Sequence, residues 1–137
     1  MMPHVFVYGT LRTGGRNDIA RYRPLPVRVG EASIDGTLYN LGAYPGVVLG
    51  GAGRVKGEVY AVEPGVEAAL DVLEEVADDD SGEYIKRRVR VDVKGRWVDC
   101  LVYEIHPSRI VGRHVIGSGD WIAHAALNDT SFSPPKG

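Results

Sequence analysis

The chain has a single cysteine, Cys100, so no disulfide can form within it and no disulfide framework marks it for an oxidising compartment. It also lacks a strong excess of either charge. Sixteen basic residues against eighteen acidic ones leave a formal net charge of −2, which excludes a nucleic-acid binder working through broad electrostatics. No apolar run approaches the roughly 20 residues of a membrane-spanning helix. Met1-Met2-Pro3-His4 lacks the basic patch and apolar stretch of a secretory signal. A cytoplasmic location, with no membrane partner, is therefore expected. His4, His106, His114 and His124 show no zinc-ligand spacing. Asp78-Asp79-Asp80-Ser81-Gly82 lacks the alternation of a calcium loop, and Gly9 to Gly15 lacks the Gly-Lys-Ser/Thr ending of a phosphate-binding loop. No metal is expected.

What remains is ordinary for a globular protein: 137 residues, 44% hydrophobic and 25% charged. That length predicts one domain with a real core, spanning residues 1–137. Residues 4–8 read as a central strand and 27–41 as further strand structure. Ala43-Tyr44-Pro45-Gly46 reads as a turn, Gly50-Gly51-Ala52-Gly53 as a flexible connection, and 54–62 as another strand. Residues 83–93 and 96–105 alternate around Lys94-Gly95 and predict a hairpin, with Cys100 in its core and Arg87, Arg88 and Arg90 on a strand face. The chain after Pro107 reads as irregular, with 123–137 an irregular tail that frays at its end. Several strands with one main helix indicate an α+β fold.

Two segments carry chemical interest. The apolar run Val5-Phe6-Val7-Tyr8 ends in Gly9-Thr10-Leu11-Arg12 and then Thr13-Gly14-Gly15-Arg16-Asn17, where Asn17 suits the cap of a short helix. Gly9 fits either a backbone conformation closed to other residues or a close approach by a ligand. Unpaired N–H groups after a strand end can hold an anion or an oxyanion.

The other segment is the helix predicted over 64–77, with Pro64 in its first turn and Val66, Ala69, Leu70, Leu73, Val76 and Ala77 at helical spacing. At about 100° per residue, the apolar arc centres near Leu70 and Leu73. Glu74 falls at its edge, Glu75 nearly opposite, and Glu67, Asp71 and Asp78 farther round toward solvent. Glu74 is then the carboxylate placed for partial burial, which raises a carboxyl pKa toward neutrality and suits it to accept and return a proton. An amphipathic helix with a charged outer face has the same pattern.

These segments resemble a known family. Tyr8-Gly9-Thr10-Leu11-Arg12 is similar to the signature of the γ-glutamylcyclotransferase-like (AIG2-like, GGCT-like) family. Four further segments agree in order and spacing: Gly36 to Gly46, Val55-Lys56-Gly57-Glu58-Val59-Tyr60, Leu70 to Glu75, and Tyr84-Ile85-Lys86-Arg87. Gly117-Ser118-Gly119-Asp120-Trp121 resembles the closing segment of small bacterial members and reads as structural. The resemblance spans roughly residues 4–122; each motif is weak alone, and five in register are specific.

The resemblance implies a small mixed β-barrel with one main flanking helix and a cavity at one end. It implies cyclisation of a γ-glutamyl-amine or γ-glutamyl peptide to 5-oxoproline, with no cofactor. Leu70-Asp71-Val72-Leu73-Glu74 matches the family's Leu-Asp-x-x-Glu pattern and makes Glu74 the general acid/base. Glu75 stands where the family often has glycine, and Glu83 is the alternative carboxylate if the acidic loop folds inward. Backbone N–H groups of Gly9, Thr10 and Leu11 would bind the substrate's carboxylate or the oxyanion, and Tyr8 would line the pocket. Tyr84 and Tyr103 match family tyrosines and would donate hydrogen bonds to substrate; as strand tyrosines they read equally as half-buried with satisfied hydroxyls. A non-catalytic small-molecule binding module on the same fold, and a γ-glutamyl amide hydrolase or acyltransferase, stay open beside the cyclotransferase.

Overall fold

The computed structural model describes residues 2–74 and 82–132, with side chains to Leu127. Its strands are β1 (His4–Val7), β2 (Val27–Asn40), β3 (Pro45–Ala61), β4 (Tyr84–Val93), β5 (Arg96–Ile105) and β6 (His114–Val115), and its helices α1 (Pro64–Leu73) and α2 (Trp121–Phe132). The sheet order is β4-β5-β1-β3-β2-β6. β1 runs antiparallel to β3, with Val7 opposite Glu58, and parallel to β5, with Val5 beside Leu101.

β1 is short, and β3 pairs with β5 directly, Val47 beside Glu104 in parallel. That contact curls the mixed sheet into a half-barrel. It demands glycine at 46, where an added Cβ would lie 2.5 Å from Ile105 Cβ. The ladder between β2 and β3 jumps from Asp35 opposite Arg54 to Gly36 opposite Leu49. Gly50 to Gly53 therefore leave that ladder as an excursion inside one long strand, and the strand extends back to Pro45 rather than starting at Arg54.

Alternation along β1 divides the core. Phe6 and Tyr8 face the barrel interior with Leu38, Val47, Val59, Cys100, Val102 and Trp121. Val5 and Val7 face outward, where Val66 and Leu70 of α1 cover them together with Leu101, Tyr103 and Ile105. Cys100 is fully buried there, and removal from water pushes its thiol up to about 12, so it acts as a small apolar group.

Three expectations need correction. The chain at 121–127 does not open an irregular tail; it is helix, and α2 continues to Phe132. Its first residue, Trp121, is driven into the barrel core, and Asp120 receives the N–H of Ala123 at 3.1 Å and starts the first turn. The described residues thus form two α-helices. Residues 133–137 lie outside those described. Next, α1 ends at Leu73 with Glu74 as its C-cap, and the continuation to Ala77 lies outside the described residues. Finally, the short turn near Asn17 is a 3-10 turn, Ile19–Arg21, capped by Asp18, whose carboxylate accepts from Ala20 N–H. Asn17 instead holds Thr10: its side-chain amide donates to Thr10 Oγ1 at 3.0 Å and its N–H to Thr10 O at 2.9 Å.

Candidate active site

Beyond the C-terminal end of β1 lies a cavity of about 360 Å³, within the range of small-molecule sites. All seven residues singled out from the sequence line it: Tyr8, Gly9, Thr10, Leu11, Glu74, Tyr84 and Tyr103. Glu83 lines it as well. A larger groove, about 660 Å³, flanks the other end of β1 at Met2 to His4. Its one carboxylate, Asp99, lies beside Arg90 at 3.7 Å, whereas the first cavity holds a carboxyl tuned toward neutral pH.

That carboxyl is Glu74. Its N–H caps α1 by donating to Leu70 O at 2.9 Å, which fixes the side chain at the cavity wall. Burial raises its pKa from 4.5 to about 8, and the Glu83 carboxylate pushes in the same direction. The residue as a whole is half-buried; the desolvation falls on the carboxyl. A raised folded-state pKa means stability that is full below the unfolded value and lost as pH rises through the folded one. Glu74→Gln removes that loss. The variant is expected to match wild type near pH 4 and to be the more stable protein above pH 8, as read from urea denaturation at both pH values. Equal stabilities across the range would show the carboxyl to be solvated.

Tyr8 lines the cavity as the resemblance implied, while the hydroxyls of Tyr84 and Tyr103 are satisfied within the protein, as the strand reading had them. Tyr8 Oη donates to Tyr103 O at 2.6 Å and accepts from Val47 N–H at 3.2 Å, tying β1, β5 and β3 together. Tyr84 Oη donates to Pro45 O at 2.6 Å, and Tyr103 Oη to Asp71 Oδ1 at 2.7 Å. All three are buried. Their hydroxyl protons are committed to the protein, so they present ring surface to the cavity rather than hydrogen bonds to a substrate. Burial first, and then anionic neighbours including Glu74, raises the pKa of Tyr8 and of Tyr84. For Tyr103 burial is followed by its bond to Asp71.

Asp71 also departs from the helical-wheel expectation. It is not a solvent-facing charge: with Glu67 it receives Lys86 Nζ, at 2.8 and 2.6 Å. One turn before Glu74, α1 is thus fastened to β4 and β5. Among the described residues of its expected apolar stripe, Val66, Ala69, Leu70 and Leu73, only Val66 and Leu70 are buried. Leu73 is 37% exposed because it faces the cavity rim.

Gly9 does not adopt a left-handed conformation; that belongs to Gly14, at φ +86°. Glycine is required at 9 by close approach, since an added Cβ would lie 2.8 Å from Pro45 Cγ. Among the described residues, no carbonyl or side chain accepts from the N–H of Thr10 or Leu11. The loop they belong to is anchored around them by Arg12 N–H to Gly9 O and by Asn17.

Sequence reasoning missed Arg16, Asn17, Ala43, Tyr44 and Leu73 as lining residues. Arg16 donates to Ala43 O, and Tyr44 Oη to the Glu83 carboxylate, so the turn at 42–45 is held from both sides of the rim. Arg16 stood in the quoted glycine-rich loop, but no local pattern signals which loop side chain turns toward a cavity. No group of three or more His, Cys, Asp or Glu side chains among the described residues could hold a metal ion, and none of their helices is long and apolar enough to cross a membrane.

The model of the family "Gamma-glutamyl cyclotransferase, AIG2-like" matches residues 5–123. The chain belongs to this family. Among its relatives is the gamma-glutamylcyclotransferase family protein YtfP of Citrobacter rodentium, 36% identical over 119 residues, or 86% of this chain and 94% of that protein. The crystal structure of an AIG2-like protein from Mus musculus superposes with a TM-score of 0.64 at 29% identity, covering 80% of this chain and 82% of that one. YkqA from Bacillus subtilis superposes with a TM-score of 0.75 at 26% identity over 95% of this chain, which spans only 43% of that longer protein. A γ-glutamylcyclotransferase fold accounts for the half-barrel and its flanking helices.

Proposed function

We propose that this chain is a γ-glutamylcyclotransferase that converts a γ-glutamyl-amine or γ-glutamyl peptide to 5-oxoproline and releases the amine, in the cytoplasm and without a cofactor. The observation that carries the reading is Glu74: a carboxyl with a pKa of about 8, walled into the same cavity as the Gly9-Thr10-Leu11 loop.

The substrate brings its own nucleophile. Glu74 takes a proton from the α-ammonium, and the resulting amine attacks the γ-carbonyl carbon to form the ring C–N bond. Attack within one molecule gains greatly in effective concentration when the folded conformer is held. The oxyanion or the α-carboxylate meets the Thr10 and Leu11 N–H groups. Collapse breaks the original amide C–N bond. Two protons leave the attacking nitrogen in the course of reaction and two arrive on the departing one, Glu74 passing the first, so the cycle ends with Glu74 ionised again and no water consumed. The buried rings of Tyr8, Tyr84 and Tyr103 keep the cavity floor dry.

The test is mass-spectrometric detection of products from a panel of γ-glutamyl-amino acids and γ-glutamyl-amines. 5-Oxoproline with equimolar amine is the expected result. Free glutamate instead would make the protein a hydrolase, and binding without any product would make it a ligand-binding module.

A further inference from the structure

We infer that Lys86 is a positioning residue for the acid/base step: it holds the last turn of α1 against the sheet and so keeps the Glu74 carboxyl at the cavity wall. Its effect on rate rests on the cyclotransferase reading above; its effect on Glu74 itself does not.

α1 is anchored unevenly. Its buried apolar side chains, Val66 and Leu70, lie in its first two turns. Beyond Leu70 no apolar side chain of the helix is buried: Val72 and Leu73 are both exposed. The last turn is instead tied to the sheet through Asp71, which accepts from Tyr103 Oη at 2.7 Å and from Lys86 Nζ at 2.8 Å. Lys86 Nζ also reaches back to Glu67 Oε2 at 2.6 Å. Among the described residues, these are the two ion pairs that join α1 to the sheet. The next cation of β4, Arg87, alternates to the other face and meets Glu104 at 3.0 Å.

Glu67 and Asp71 stand four residues apart on one helix face, where like charges repel. Both are partly buried. With the ammonium between them the pair is neutralised. Without it, both carboxylates gain by moving into water, and the last turn of α1 moves with them. Burial alone would lower the Lys86 pKa, but its bonds to Asp71 and Glu67 hold it above the ordinary value. The clamp therefore stays charged while Glu74 titrates. Lys86 acts only through α1, since it does not line the cavity.

The other groups that bear on Glu74 are Glu83, whose charge raises its pKa, Arg16 in the same cavity, and Tyr8, Tyr22, Tyr84 and Tyr103. Burial first holds all four tyrosines above their ordinary value of 10, so they remain neutral.

Carbon-13 NMR of protein labelled at glutamate Cδ reads Glu74 directly, its signal identified by its loss in Glu74→Gln. Wild type is expected to titrate near pH 8. In Lys86→Met the midpoint is expected to fall by roughly one pH unit or more, because a displaced carboxyl regains water and burial is the larger cause of its raised pKa. Lys86→Arg keeps the charge and is expected to restore the midpoint. In Lys86→Met, kcat for 5-oxoproline formation should drop roughly tenfold with KM unchanged, the mark of a misplaced catalytic group. A charge effect without positioning would move the midpoint upward, since Asp71 and Glu67 would be left unneutralised. A purely structural role would leave it in place. Either result overturns the inference, as does a midpoint that Lys86→Arg fails to restore. If Lys86→Met does not fold, Lys86→Gln, which can bond one of the two carboxylates, takes its place with the same outcomes. A fallen midpoint in a protein whose wild type makes no 5-oxoproline upholds the placement of Glu74 by Lys86 and rejects the cyclotransferase reading alone. 5-Oxoproline formation with an unmoved midpoint does the reverse.

Discussion

Replacing Glu74 by glutamine is expected to lower kcat for 5-oxoproline formation by roughly a thousandfold while leaving the fold intact, the scale of loss when a positioned acid/base is removed. Glutamine keeps the shape and removes only the proton acceptor. In wild type, kcat/KM for the free enzyme should rise with pH through the Glu74 pKa of about 8, because the carboxylate form must accept the first proton. Glu83→Gln provides the internal control. Glu83 contributes to the raised pKa of Glu74 through its charge and sits at the rim, engaged by Tyr44. Its neutralisation should move the rising limb toward lower pH rather than remove turnover. A Glu74→Gln enzyme within tenfold of wild type, together with an inactive Glu83→Gln enzyme, would transfer the acid/base role to Glu83.

The two candidate carboxylates show how far the sequence could be read. Periodicity placed Glu74 at the edge of an apolar arc, and the structure puts it at a cavity wall, because wheel position depends only on local geometry. The same wheel sent Asp71 toward solvent, and the structure turns it onto Lys86 and Tyr103. A wheel knows the helix axis but not which strands will lie against it, and Lys86 and Tyr103 arrive from a hairpin later in the chain. The tyrosines followed the same rule. Their presence at the cavity was legible from motif, but their hydroxyl partners, Tyr103 O, Pro45 O and the Asp71 carboxylate, lie far away in sequence and are brought near only by the assembled sheet and α1. The helix α2 was missed because, among its described residues, Trp121, Ile122 and Ala125 alone meet the core, too short a stripe to read as a period. Arg16 was missed because a loop side chain carries no period at all.

The other large effect concerns the polar tie beneath the substrate loop. Arg12→Met is expected to destabilise the protein by about 3 kcal/mol, near the lower end of the range for breaking a buried ion pair, and to lower the melting temperature by roughly 10 °C. Arg12 Nε meets Glu58 Oε2 at 2.7 Å and Nη1 meets Asp120 Oδ1 at 2.8 Å, with Glu58 almost entirely buried. The cost arises less from the lost attraction than from the charge left behind on Glu58. Thr13 N–H at 3.0 Å and Tyr60 Oη at 3.4 Å still serve that carboxylate, which keeps the expected loss from the top of the range. Adding Glu58→Gln should recover more than half of it, since the amide oxygen keeps the Thr13 bond and no charge is stranded. The double variant should nonetheless turn over more slowly than wild type, because Arg12 directly follows Gly9-Thr10-Leu11 and is the link from that loop to both β3 and the start of α2. A single Arg12→Met variant within 1 kcal/mol of wild type would mean that Glu58 finds water on loss of its partner, and that Asn17, the bond from Thr13 N–H to Glu58 and the main-chain bonds of the loop suffice to hold it.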